Sequence, residues 1–202
     1  MPTVAIFDYG VGNLLSLKCA LEKVGLKAKI TVSPKQLKQA EAIALPGVGN
    51  FSASVSKLGN AKETILEKVG SGTFLLGICL GMQLFFQQSE EGPGRGLGLF
   101  NGKTVRLPTG SLKVPHMGWN TFRIAKQSEL FEDVSDESYV YFVHSLYPIP
   151  SSNQIVAAET EYGVLFTSAV ASTNIYGTQF HPEKSGEVGL KILGNFAKML
   201  KR

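Results

Sequence analysis

Gly77-Ile78-Cys79-Leu80-Gly81 joins a short apolar run to a helical pattern with no linker, the sequence form of a nucleophile elbow with cysteine in the place of serine. Such a turn leaves little room, so the flanking residues must be small for the sulfur to project from the strand end. The Leu80 amide then faces the position of a developing oxyanion, and a helix start favours a thiolate. A thiol nucleophile needs a base, and Gln179-Phe180-His181-Pro182-Glu183 offers His181 with a carboxylate two residues on. The two segments lie roughly a hundred residues apart, as is usual for cysteine and histidine partners that meet only in the fold. In this reading His181 takes the thiol proton and returns it to a leaving amine, while Glu183 orients the imidazole, which makes Cys79, His181 and Glu183 an acyl-transfer triad. The other cysteine, Cys19, sits in an apolar helical pattern and reads as a small buried hydrophobe.

These groups must be held at strand ends, and the chain supplies such strands. Thr3 to Phe7 is a β-rich run broken by Asp8-Tyr9-Gly10-Val11-Gly12-Asn13, and a helix is expected from Leu14 to Val24. Lys27 to Val32 reads as a strand, Ser33-Pro34 opens a short helix, and Ala42 to Leu45 is a third strand. Helices follow near Phe51 to Leu58 and Lys62 to Val69, then a buried strand over Phe74 to Ile78 and a helix over Leu80 to Gln88. Beyond Gly102 the runs 104–107, 121–124, 139–144, 155–160, 164–170 and 175–179 read as strands, with antiparallel pairing expected. Val188, Ile192, Leu193, Phe196 and Leu200 share one face of a closing helix after Ser185. The fold class expected is α/β, a mixed, mainly parallel central sheet flanked by helices with an antiparallel extension, in one domain over residues 1–202.

Gly77-Ile78-Cys79-Leu80-Gly81-Met82-Gln83 together with Gln179-Phe180-His181-Pro182-Glu183 resembles the class I (triad) glutamine amidotransferases, which have a flavodoxin-like fold. Five further segments extend the likeness from Asp8 to Ser185: Asp8 to Asn13, Pro46-Gly47-Val48-Gly49, Pro115-His116-Met117-Gly118-Trp119-Asn120, Tyr141 to Ser145, and Pro182 to Ser185. They are similar to the branch of that class in which a glutaminase subunit passes ammonia to a cyclase subunit in histidine biosynthesis. The resemblance implies that Cys79 attacks the side-chain amide of glutamine, releasing ammonia and leaving a γ-glutamyl thioester for water to hydrolyse. It implies an oxyanion strand at Gly47-Val48-Gly49, with Val48, Gly49 and Leu80 around the oxyanion and one peptide able to rotate as a switch. Gly47, Gln83 and the backbone of Ser145 and Leu146 resemble the part that holds glutamine, although leucine at 146 stands where the family often has an aromatic. Asn13, Trp119, Tyr141 and Lys184 are implied to face the cyclase, giving a heterodimer with no cofactor.

The remaining features narrow the alternatives. Gly10-Val11-Gly12 follows a first strand, but Leu15 stands where a dinucleotide fingerprint has its third glycine, and no Gly-Lys-Ser/Thr triplet occurs. Gly92-Pro93-Gly94-Arg95-Gly96-Leu97-Gly98 reads as a turn-rich connection. Trp119, between Gly118 and Asn120, reads as a loop aromatic available to an interface. His116 and His144 have neither an i, i+4 histidine partner nor a carboxylate cluster, so no metal site is expected. The net charge of +4 is spread without a basic run, which argues against a nucleic-acid surface. No apolar run reaches the roughly 18 residues of a membrane span and the amino terminus lacks a signal pattern, so a cytoplasmic location is expected. Rival readings are an amidotransferase subunit of anthranilate, GMP or pyridoxal phosphate synthesis, a cysteine peptidase or γ-glutamyl hydrolase-like enzyme, and a catalytically silent interaction module. Pro115 to Asn120 favours the histidine branch, and the glycine loop favours a free amino acid as substrate.

Overall fold

The computed structural model describes residues 1–110 and 112–202. In the first half strands and helices alternate: β1 (Thr3–Phe7), α1 (Leu14–Lys23), β2 (Lys27–Thr31), α2 (Pro34–Leu37), β3 (Ala42–Leu45), α3 (Phe51–Leu58), α4 (Ala61–Gly70), β4 (Phe74–Ile78) and α5 (Leu80–Gln83). Then come β5 (Gln88–Ser89), β6 (Gly102–Arg106), β7 (His116–Thr121), β8 (Arg123–Ile124), β9 (Tyr139–His144), β10 (Leu146–Pro150), β11 (Val156–Glu161), β12 (Leu165–Ser172), β13 (Ile175–Thr178) and α6 (Gly186–Met199).

Eight strands form the main sheet in the order β2-β1-β3-β4-β13-β12-β11-β8. From β2 to β13 the neighbours are parallel, and from β13 to β8 they are antiparallel. Alternation along β1 shows how both faces are used. Val4 and Ile6 pack with Leu17 and Leu21 of α1 and Phe196 of α6, while Ala5 and Phe7 pack with Leu58 of α3 and Ile65 of α4. Two smaller sheets, β10-β6-β5 and the β7-β9 ribbon, stand beside the carboxyl ends of the central strands.

Several expectations change. The helix over Leu80 to Gln88 is a single turn, because the carbonyls after it turn to another segment: Leu97 N–H donates to Leu84 at 2.7 Å, Phe100 to Phe85 at 3.1 Å and Gly96 to Gln87 at 3.2 Å. Trp119 lies on β7 rather than in a loop, paired directly with Tyr141 of β9. The positive φ of Gly118, 131°, interrupts the alternation that would have marked the strand. β10 is an additional strand, obscured by Pro148 and Pro150, which an edge strand tolerates. β13 is antiparallel to β12 but parallel to β4, so the pairing beyond Gly102 is not uniformly antiparallel. Cys19 is exposed, since the buried stripe of α1 is Leu17, Ala20 and Leu21 and position 19 falls off it.

Candidate active site

β4 and β13 lie side by side, with Gly77 opposite Gly177 and Ile78 opposite Thr178, so the elbow after β4 and the histidine segment after β13 emerge together. Cys79 N–H donates to the Thr178 carbonyl at 2.7 Å, which ties the two strand ends at the nucleophile. The turn holds Cys79 at φ 54°, ψ −110°, a conformation that L-residues rarely adopt. Gly81 permits it by close approach, because a Cβ there would lie 1.7 Å from the Leu45 carbonyl oxygen. α5 is too short to act as more than a mechanical support for the turn.

His181 and Glu183 are both buried, and His181 Nδ1 donates to Glu183 Oε1 at 2.8 Å. That bond places the other ring nitrogen, Nε2, on the Cys79 side, where it is buried without an aligned hydrogen-bond partner. Such loose alignment is common before substrate arrives. Burial alone would lower the imidazole, but the charge and hydrogen bond of Cys79, followed by those of Glu183, outweigh it and raise His181 well above its ordinary value. The Cys79 sulfur contacts the Val143 carbonyl at 3.7 Å and receives Gln179 Nε2 at 3.4 Å.

The glycine loop after β3 passes directly over this turn. Tyr9, buried, donates its hydroxyl proton to the Pro46 carbonyl. The Gly47 carbonyl accepts from Leu80 N–H at 3.3 Å, so the amide expected to face an oxyanion is already occupied. Rotation of the Gly47–Val48 peptide would withdraw that carbonyl and turn the Val48 N–H toward the same place. A side chain at 47 would obstruct the passage, since its Cβ would lie 2.7 Å from the Tyr9 hydroxyl and 2.9 Å from Leu80 Cβ.

A cavity of about 320 Å³ opens at the sulfur, lined by Val48, Gly49, Leu80, Gln83, Ser145 and Leu146 among others. This is the small end of ligand pockets and suits an amino acid better than a peptide. Gln83 Nε2 donates to the Leu146 carbonyl at 2.8 Å, which also accepts from His144 Nδ1 at 2.9 Å. Leu107 N–H donates to the Ser145 carbonyl at 2.8 Å, so this backbone's carbonyls are engaged internally rather than reserved for a ligand. Glu91 also lines the cavity and was missed from the sequence. Its one signal was a carboxylate immediately before the glycine-rich turn. One Glu91 oxygen accepts from Phe51 N–H at 2.6 Å.

The partner-facing candidates form a second cluster. Trp119 is 56% exposed, packs edge-on against Tyr141 with ring centroids 5.9 Å apart, and Lys184 Nζ lies 5.8 Å above the Tyr141 ring. Tyr141 is bonded to the histidine segment: its carbonyl accepts from His181 N–H at 2.9 Å and its N–H donates to Ser185 Oγ at 3.0 Å. Asn13 sits apart from this ribbon as the N-cap of α1, its side chain accepting from Ser16 N–H.

The family model "Glutamine amidotransferase class-I" matches residues 5–200. The chain belongs to the class I glutamine amidotransferase family. Among individual members of this family, it is 49% identical over 98% of its length to the imidazole glycerol phosphate synthase subunit HisH of Methanothermobacter thermautotrophicus, covering 99% of that protein. It is 47% identical to the subunit of the same name from Pyrococcus furiosus, covering 98% of this chain and all of the relative. The fold of this amidotransferase matches a chain in the structure of PurLQS from Thermotoga maritima with a TM-score of 0.78 at 18% identity, over 98% of this chain and 99% of that one. Among the described residues no helix is long and apolar enough to cross a membrane.

Proposed function

We infer that this chain is the glutaminase subunit of an imidazole glycerol phosphate synthase. It hydrolyses glutamine to glutamate and ammonia and supplies the ammonia to a cyclase subunit in histidine biosynthesis. Supporting this are HisH relatives that match it end to end, together with a buried cysteine, histidine and glutamate at adjoining strand ends. Residues 1–202 act as one amidotransferase domain in a cytoplasmic heterodimer.

In the proposed reaction the Cys79 thiol proton passes to His181 Nε2, and the sulfur attacks the γ-carboxamide carbon of glutamine. The carbonyl electron pair moves onto oxygen. Collapse of this intermediate breaks the C–N bond while His181 returns the proton to nitrogen, releasing ammonia and leaving the γ-glutamyl thioester. His181 then takes a proton from water as its oxygen attacks the thioester carbon, the C–S bond breaks to release glutamate, and His181 returns the proton to the Cys79 thiolate. Gln83 presents its oxygen to the substrate, because both of its amide protons are spent on Leu146 and Gln179. Glu91 supplies the counter-charge for the substrate ammonium.

The occupied Leu80 N–H carries the regulatory part of the reading. The resting subunit lacks a prepared oxyanion site, and rotation of the Gly47–Val48 peptide provides two donors at once. One such donor is worth about 10²–10³ in rate, so activation of about 10³-fold, roughly 4 kcal/mol, is within reach. The cyclase drives this change through the Trp119, Tyr141 and Lys184 face. The test is glutamate release from glutamine with and without the cyclase loaded with a substrate analogue. Strong activation is expected for the wild type, and Gly49→Pro should abolish the response while retaining part of the glutamine binding. A free subunit already working at the rate of the complex would overturn the gating.

A further inference from the structure

In the mechanism above Gln179 only accepts a proton from Gln83, yet it is fully buried and its side chain touches the nucleophile as well as the glutamine pocket. Its Nε2 lies 3.4 Å from Cys79 Sγ, and its Oε1 accepts from Gln83 Nε2 at 3.0 Å. A primary amide can be turned end for end, but the surroundings admit one orientation here. The Leu146 carbonyl has no proton to give, so the Gln83 group facing it at 2.8 Å must be the nitrogen. The second proton of that nitrogen goes to Gln179 oxygen, which leaves the Gln179 nitrogen facing the sulfur.

On the other side of the network a second set of donors converges on the same Leu146 carbonyl. Because the Leu146 carbonyl only accepts, His144 Nδ1 carries a proton and His144 Nε2 is left as an acceptor for His116 Nδ1, 2.9 Å away. Asn120 Nδ2 faces the remaining nitrogen of His116 at 3.4 Å and also donates to the Glu161 carbonyl. Burial keeps both histidines in the neutral form that this pattern requires. The relay from the exposed ribbon thus ends on the Leu146 carbonyl, the same acceptor that fixes the Gln83 nitrogen, and Gln83 gives its second proton to Gln179.

Among the described residues, Gln179 supplies the one uncharged hydrogen-bond donor to the Cys79 sulfur. The other contact, the Val143 carbonyl, accepts from the thiol and repels a thiolate. We propose that Gln179 is a further catalytic residue of this site, donating its amide proton to the Cys79 sulfur as the thiol proton leaves for His181 and holding the sulfur in place for attack on the substrate carbon. The inference rests on Cys79 being the nucleophile. A hydrogen bond to an ionised partner of this kind corresponds to about 10- to 100-fold in rate.

The test uses Gln179→Glu, which keeps an oxygen for Gln83 but loses the donor to sulfur, and Gln179→Met, which loses both. Each is made in a Cys19→Ser background, because Cys19 is exposed and would also be alkylated. In the complex with the cyclase, both variants should lose about 10- to 100-fold in kcat, with KM changed less than about threefold in Gln179→Glu, which keeps the acceptor for Gln83. Alkylation of Cys79 by iodoacetamide at pH 7 should slow in parallel. Unchanged alkylation and kcat with a raised KM would show that Gln179 only orders Gln83, and the proposal would fall. For variants that do not fold, Cys19→Ser protein with Gln179 intact, labelled with ¹⁵N in its glutamine side chains, keeps the question open to experiment. Alkylating Cys79 should move the Gln179 amide resonance more than that of any other glutamine, and an unmoved resonance would equally overturn the proposal. Turnover retained by Cys79→Ala would instead sink the nucleophile assignment, an outcome separate from either of these.

Discussion

Replacing Cys79 by glycine or by alanine removes the same sulfur but treats the backbone differently. At an ordinary buried position glycine is the less stable choice, by about 0.5–1 kcal/mol from chain entropy and a further ~0.8 kcal/mol from the missing methyl. Position 79 is not ordinary, since φ 54°, ψ −110° lies outside even the left-handed well that non-glycine residues sometimes occupy. Strain of this kind costs about 1–3 kcal/mol, and the distance of ψ from any L-residue well places it at the upper end. Only glycine relieves it. Subtracting the two ordinary terms leaves Cys79→Gly more stable than Cys79→Ala by roughly 1–2 kcal/mol, or about 2–8 °C in Tm for a chain of this size. Urea midpoints measured at a common m-value, together with thermal melts, read the difference directly. An alanine variant as stable as the glycine variant, or more so, would refute the strained elbow. Both variants should be inactive in glutamate release, and turnover in either would remove Cys79 from the mechanism.

Gly81→Ala should destabilise the fold by about 1–3 kcal/mol and depress activity, because the new methyl meets the Leu45 backbone oxygen rather than a side chain that could move; denaturation midpoints check this. Lys184→Ala should weaken activation by the cyclase while shifting Tm by less than about 2 °C, since an exposed cation over an aromatic ring contributes little to folding; titration with the cyclase, followed by glutamate release, separates the two effects. Burial pushes His116 down to about 4 and His144 down to about 3 from an ordinary 6.5. The unfolded chain then binds more protons below pH 6.5, so stability should fall as pH drops from 6.5 toward those values, by up to about 1.4 kcal/mol per pH unit for each histidine. His181, raised in the fold, acts on the other side: its contribution is full below pH 6.5 and is lost as pH rises through its raised value. Urea unfolding at pH 5 to 6.5 should therefore show a positive slope with pH that His144→Gln reduces, and a flat profile would contradict the buried neutral pair.

The sequence by itself determined what is local. Strands over Thr3–Phe7, Ala42–Leu45 and Phe74–Ile78 were legible because their residues bury together and breaking glycines sit nearby, and Tyr139–His144 because its aromatic and β-branched residues alternate between buried and more exposed positions. The elbow at Cys79 and the His181–Glu183 pair were legible because each is a contiguous motif whose residues meet across one turn. Neighbours chosen across the chain were not. Setting β13 beside β4 brings Gln179 to the sulfur, but the order of strands in a sheet depends on crossovers and packed helices, which leave no mark in either strand's own residues. The same holds for Glu91, brought to the pocket by a loop that reads only as turns, and for Trp119, whose strand exists because β9 pairs with it across a glycine that breaks the pattern. The occupied Leu80 N–H lies furthest from the sequence: Gly47 permits more than one peptide orientation, and only the tertiary packing of the Pro46–Gly49 loop over the elbow selects the one in which its carbonyl takes that proton.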